Sequence, residues 1–308
     1  VKPLIPMFYF PLKIMFIDDD VDLLQSYSHI EIPNEIETES NPFIAIEKII
    51  SKSVNKIDVF TDITDAMELD TANSNDESVF KFSFDSLLNL FDYTHDVYGI
   101  AVIDCKMPLM DGIEVCDRIN EQIDIIKILL TGELKPIEAL MAINEGKAQH
   151  YIAKGNVDTI KNLTVIINEL QYKYFIDITK NYSRILDDRF SFLFDKKYQE
   201  LFNKIKEKHN IIEYYLVNST GSFIMKNKER SYIFNSATDK DLDVFCDMHN
   251  FLQNKIIDKI QAREIIPNFK IPNNIGVNVD DYFYTAIKFD KYYFNLTEID
   301  DKNKPIGA

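Results

Sequence analysis

No apolar stretch in this chain reaches the 18 or so residues that a membrane helix needs, so no spanning segment is expected. The opening residues are apolar, but Pro3, Pro6 and Pro11 interrupt them and no small-residue cleavage site follows, which argues against a signal peptide. Cysteine is scarce. Cys105, Cys116 and Cys246 are odd in number and lack metal-type spacing, which fits a reducing, cytoplasmic compartment and thiols serving as small core residues. Low-complexity tracts are missing too, and with 46% hydrophobic residues the chain reads as folded throughout. Positive charge is in deficit: 34 Lys and Arg stand against 50 Asp and Glu. Such a surface repels nucleic acid unless a local basic patch intervenes.

What is present reads as two domains. A chain of 308 residues can bury two cores. Residues 1–156 carry 28 acidic against 12 basic side chains, and residues 157–308 carry 22 of each. The acidic half alternates short apolar runs with amphipathic ones, the pattern of a parallel α/β sheet. Strands are expected at residues 13–17, 58–61, 100–103, 127–130 and 150–153. Helices are expected at 21–29, 42–53, 65–69, 85–93, 113–122 and 136–145. Five strands so interleaved suggest a doubly wound, flavodoxin-like sheet, whose chemistry collects at the carboxyl ends of its strands.

From Val157 the apolar residues Ile160, Leu163, Ile167, Leu170 and Tyr174 share one helical face, predicting a linker helix through about residue 190. Two heptads are too few for a coiled coil, so the face is expected to pack on the chain's own core. Residues 191–308 read as an α+β domain: a helix at 196–208 and short aromatic-rich strands at 213–217, 222–225 and 231–235. A helix capped by Thr238 is expected to run to 265, followed by the stop signal Pro267 and a hairpin of 282–289 with 292–296.

The chemistry concentrates where two apolar runs end in aspartate. One closes with Asp18-Asp19-Asp20. The other reads Val102-Ile103-Asp104-Cys105-Lys106-Met107-Pro108-Leu109-Met110-Asp111-Gly112. Carboxylates about 4 Å apart repel by roughly 4 kcal/mol at an effective dielectric near 20, a penalty that a hard cation reverses. Asp20 taken alone reads as a helix N-cap.

These residues resemble the receiver domain of two-component response regulators over about residues 13–165. Ile14-Met15-Phe16-Ile17-Asp18-Asp19-Asp20 is similar to the family's first strand and acidic pair, and Asp104 to Gly112 carries the D-x-x-M-P-x-M-D-G pattern. Ile128-Leu129-Leu130-Thr131-Gly132 and Tyr151-Ile152-Ala153-Lys154 resemble its fourth and fifth strands. The resemblance implies a phosphoryl group accepted on Asp104 from a sensor histidine kinase, with Lys154 and Thr131 reaching its oxygens. It implies Thr131 and Tyr151 as the switch pair, and Mg²⁺ held by Asp19 and Asp104, by Asp18 through water, and by the Lys106 carbonyl. A phosphorylation-dependent homodimer across the fourth helix, fifth strand and fifth helix goes with that reading.

Two departures stand out. Asp19 and Asp104 are about 40 residues farther apart than ordinary receivers place them, which predicts insertions near 31–43 and 70–84, on loops that tolerate length. Gly155 stands where the family commonly has proline. The layout of long inserts and an α+β output half resembles quorum-sensing response regulators of the Lqs type. No helix-turn-helix, Walker, cyclase or phosphodiesterase signature marks the output. Control of gene expression through the basic turn Lys226, Lys228 and Arg230 competes with a protein-interaction module that binds no nucleic acid. Cys246 and His249 have CxxH spacing, for which packing on a helix face outweighs zinc.

Overall fold

The structure is a computed structural model that describes residues 4–52, 97–132, 136–155, 158–183, 188–249, 252–268 and 282–299. Among these, the chain forms two compact units. One runs from Pro11 through Tyr174, and the other joins the residues up to Phe10 with those from Phe175 onward. Residues 4–10, expected in the acidic domain, therefore belong to the second unit.

The Pro11–Tyr174 unit is a flavodoxin-like, doubly wound sheet. Its strands are β2 (Lys13–Ile17), β3 (Ile36–Glu39), β4 (Tyr98–Asp104), β5 (Ile126–Thr131) and β6 (His150–Ala153), all parallel in the order β3-β2-β4-β5-β6. The central strands β2 and β4 are buried along their whole length. The helices are α1 (Val21–Tyr27), α2 (Pro42–Lys52), α3 (Gly112–Asn120), α4 (Pro136–Asn144) and, as far as Tyr174, α5 (Thr159–Ser183). Met15, Ile17, Ala101, Ile103 and Leu129 share a core with Ala45, Ile46 and Ile49 of α2 and Val115, Cys116 and Ile119 of α3. The alternate residue Phe16 points to the opposite layer, where Tyr27 of α1 stacks on it at 4.8 Å.

The edge strand corrects the sequence reading. Residues 31–43 were expected to be an insertion, yet β3 lies there and pairs Ile36 with Ile14 through Glu39 with Ile17. The run Glu35-Ile36-Glu37-Thr38-Glu39 reads as a charged loop. It becomes a strand because Lys13 reaches Glu35 and Glu37, and Lys48 reaches Glu37 and Glu39. Those partners come from β2 and α2, so local sequence does not reveal them. The strand expected at 58–61, the helices at 65–69 and 85–93, and the insertion at 70–84 lie outside the described residues.

The second unit carries a six-stranded antiparallel sheet in the order β1-β7-β8-β9-β13-β12. Its strands are β1 (Phe8–Tyr9), β7 (Glu213–Leu216), β8 (Phe223–Lys226), β9 (Ser231–Thr238), β12 (Ile287–Phe289) and β13 (Tyr292–Ile299). A separate pair joins β10 (Ile265–Pro267) to β11 (Phe283–Thr285). Helix α6 (Lys196–Lys208) follows a 3-10 turn, Asp188–Phe194, and sets Tyr198 and Phe202 against Phe234, Tyr292, Tyr214 and Phe223. The long helix expected after Thr238 is two helices, α7 (Asp239–Met248) and α8 (Asn254–Gln261). Pro267 lies within a strand rather than after a helix. Thr238 does cap α7, in a reciprocal box with Asp241. The expected 282–289 strand divides, β11 pairing with β10 and β12 with β13, because Ala286 donates its N–H to Glu264 and turns the chain between them.

Candidate functional site

Register brings the carboxylates together. β2 and β4 pair Ile17 with Ile103, so the next residues, Asp18 and Asp104, emerge side by side at the carboxyl edge. β4 and β5 pair Asp104 with Leu130, and β5 and β6 pair Thr131 with Ala153, which carries Lys154 to the same edge. Asp18, Asp19 and Asp104 each present a carboxylate oxygen within 4.8 Å of the others. Lys154 Nζ lies 2.7 Å from Asp18 Oδ2 and 2.7 Å from Asp104 Oδ1. The second oxygen of Asp104 accepts from the Lys106 N–H at 3.1 Å.

The electrostatics follow from burial. Asp18 and Asp104 are buried and Asp19 is exposed. Burial pushes the Asp18 carboxyl above its ordinary range, although Lys154 and the Asp20 N–H pull the other way. Burial alone would lower the Lys154 ammonium, but its bonds to Asp104 and Asp18 outweigh that and raise it. One ammonium thus stands against three carboxylates, an all-oxygen donor set of the kind hard cations take.

Asp20 does not join the cluster. It caps α1, accepting from the Leu23 N–H at 3.0 Å. Thr131 ends β5, and Tyr151 sits half-buried on β6 against the sheet's core. Tyr151 also lines a surface pocket with His150, Ile152, Asn162, Val165 and Ile166. Lys106 sends its side chain away from Asp104, to Asp111 at 3.3 Å. Gly155 has φ +93°, a left-handed turn that glycine takes freely and proline cannot reach.

Sequence reading passed over the supports. A Cβ on Gly112 would run into the backbone carbonyl of Asp104, so only glycine lets α3 begin this close to the site. Its signal was the Asp-Gly dipeptide itself. Beneath β2, Gln171 Oε1 accepts from the Leu12 N–H at 2.8 Å and from Asn34 Nδ2 at 2.8 Å, while Asn34 also donates to the Leu12 carbonyl at 2.7 Å. Nothing local marks those partners.

The sheet, its acidic edge and the lysine that faces it make up a receiver-type fold, and similarity to solved structures supports a response regulator with a receiver domain. No protein-family model matches the sequence, and no curated protein matches it. Over nearly its whole length the chain is similar to the Legionella pneumophila response regulator LqsR, at 27% identity and TM-score 0.69, covering 96% of this chain and 90% of that one. A Clostridium thermocellum response regulator receiver domain also matches, at 21% identity and TM-score 0.35, over 54% of this chain and 98% of that one. A Francisella receiver domain matches at 18% identity and TM-score 0.33, over 53% and 98%.

Proposed function

We propose that Asp104 accepts a phosphoryl group from a phosphohistidine of a sensor kinase and that the phosphorylated state controls the output unit. The observation that carries this is the buried Asp104 carboxylate, flanked by Asp18 and Asp19 and held by Lys154 at 2.7 Å. A carboxylate oxygen bonds to phosphorus while the P–N bond breaks, and the imidazole nitrogen leaves with the electron pair. Lys154 then turns its charge to the phosphoryl oxygens, and positioning plus charge neutralisation supplies the catalysis. Asp19 and Asp104, with Asp18 through water and the Lys106 carbonyl, would hold Mg²⁺. That ion, when bound, neutralises the pocket and the transferred oxygens. In this reading Thr131 and Tyr151 form the switch pair.

Dimerisation across α4, β6 and α5 is the proposed readout. Leu140 and Met141 of α4 and Val165 of α5 are exposed apolar side chains, which supports an interface there. Phosphate that binds one of two states better shifts the population toward the dimer. Among the described residues no helix is long and apolar enough to cross a membrane, in keeping with a cytoplasmic place for this reaction.

For the output, the charge pairing favours a protein-interaction module over nucleic-acid binding. Lys226 is bound to Glu213 at 3.1 Å and Arg230 to Glu298 at 2.8 Å, which leaves the basic turn largely neutralised. Cys246 is buried in the core, and His249 stacks on Phe245 at 4.1 Å, as packing residues do. The test of the whole reading is labelling by a small phosphodonor with Mg²⁺, alongside molecular mass with and without beryllofluoride. Asp104→Asn should abolish the label and the mass change, and full labelling of that variant would reject the assignment.

A further inference from the structure

Tyr27 of α1 is 3% exposed, and its ring stacks on Phe16 of β2 at 4.8 Å. Phe16 stands two residues before Asp18, so strand alternation sets both on the same face of the sheet. Helix α1 starts at Val21, three residues beyond Asp18, and its N-terminus therefore lies at the carboxyl edge that holds the acidic pocket. Side chains on a helix lean toward its N-terminus. The Tyr27 ring, laid along Phe16, thus directs its hydroxyl toward the Asp18 end of β2.

Charge and hydrogen bonding agree with that direction. Burial first, and then the carboxylates of Asp18, Asp104 and Asp20, hold the Tyr27 phenol above its ordinary range, so the hydroxyl lies within the field of the pocket. Among the described residues that hydroxyl has no hydrogen-bond partner. A buried phenol ordinarily has one. On the facing side, Asp18 Oδ1 accepts from the Asp20 N–H at 3.1 Å and Oδ2 from Lys154 at 2.7 Å, which leaves each carboxylate oxygen a further acceptor position. A donor that keeps its proton thus faces an acceptor with room, and no direct bond joins them.

We propose that the Tyr27 hydroxyl is a positioning group of the acidic pocket, donating to a water that in turn donates to Asp18. Held from both sides, that water has a fixed place beside the carboxylate, and its remaining lone pair is free for a hard cation. The proposal rests on the reading of Asp18, Asp19 and Asp104 as a Mg²⁺ site and adds to it a residue from α1, outside the acidic run.

The test uses the full chain with meta-fluorotyrosine in place of tyrosine, and the same chain carrying Tyr27→Phe, which keeps the ring on Phe16 and removes only the hydroxyl. The fluorine resonance missing from the variant belongs to Tyr27 and should move when Mg²⁺ is added to the parent. The Mg²⁺ concentration at the midpoint of the rise in unfolding temperature should increase by about three- to tenfold in Tyr27→Phe, the effect of losing one hydrogen bond. Without cation the variant should unfold at the parental temperature. A Tyr27 resonance that ignores Mg²⁺, an unchanged midpoint, or a Tyr27→Phe chain that loses as much stability without Mg²⁺ as with it would each overturn the proposal. A parent whose unfolding temperature and fluorine spectrum both ignore Mg²⁺ would overturn the cation reading itself, and this inference with it.

Discussion

Lys154 Nζ stands 2.7 Å from Asp104 Oδ1, and the two residues reach that contact from the ends of different strands, β6 and β4. The same nitrogen holds Asp18, so a single ammonium keeps two buried carboxylates from facing each other uncompensated. The lysine is therefore a structural counter-charge as well as the proposed ligand of the transferred phosphoryl group.

Replacing it should expose that double role. Lys154→Met leaves two buried carboxylates without their partner and should lower unfolding free energy by about 2 kcal/mol in urea titrations without divalent cation. Added Mg²⁺ should restore part of the loss. Because the folded state raises the lysine's affinity for its proton, the stabilisation is complete below the ordinary lysine range and fades only as pH rises above it. A variant as stable as the parent at neutral pH would show that the contact carries no stability.

Asp19→Asn should act in the opposite sense. It removes one of three carboxylates whose oxygens lie within 4.8 Å of one another, relieving repulsion worth about 1 kcal/mol at this exposed margin. Thermal unfolding without cation should move upward, while the shift produced by Mg²⁺ should largely disappear. An unchanged Mg²⁺ shift would take Asp19 out of the ion's ligand set.

Glu37 sets an acid limit for the edge strand. Burial would raise its carboxyl, but hydrogen bonds from Tyr98, Lys48 and Lys13 outweigh that and bring it down to about 2. A depressed folded value means that the stabilisation is full above the unfolded value near 4.5 and is lost as pH falls toward 2. Glu37→Gln should therefore flatten the fall in urea midpoint over that window. Parallel curves for variant and parent would contradict the assignment.

Gly112→Ala is expected to be costly for so small a change. The added methyl meets the Asp104 carbonyl, and shifting α3 or the end of β4 to admit it should cost about 1–3 kcal/mol. Because the displaced backbone carries Asp104, phosphodonor labelling should slow as well. A variant with parental stability and labelling would show that the helix start yields without strain.

The central strands and their terminal aspartates were legible because burial on both faces demands unbroken apolar runs, and Ile14-Met15-Phe16-Ile17 and Ile100-Ala101-Val102-Ile103 supply them. The edge strand was not. An edge needs little apolar content, and Ile36–Glu39 is held by lysines from β2 and α2 that no window around it contains. The aspartate-lysine cluster was legible as a motif, whereas Gln171 and Asn34, which fasten the start of β2, carry no motif.

By itself the sequence determined the parallel sheet and the residues at its carboxyl edge, because side-chain alternation and strand ends are local properties of the chain. Tertiary structure alone decided that residues 4–10 close the second unit's sheet, that glutamates form an edge strand, and that one ammonium serves both Asp18 and Asp104. Each of these depends on a partner distant in sequence. The energy of such a pairing appears only once the fold has brought the two groups within contact.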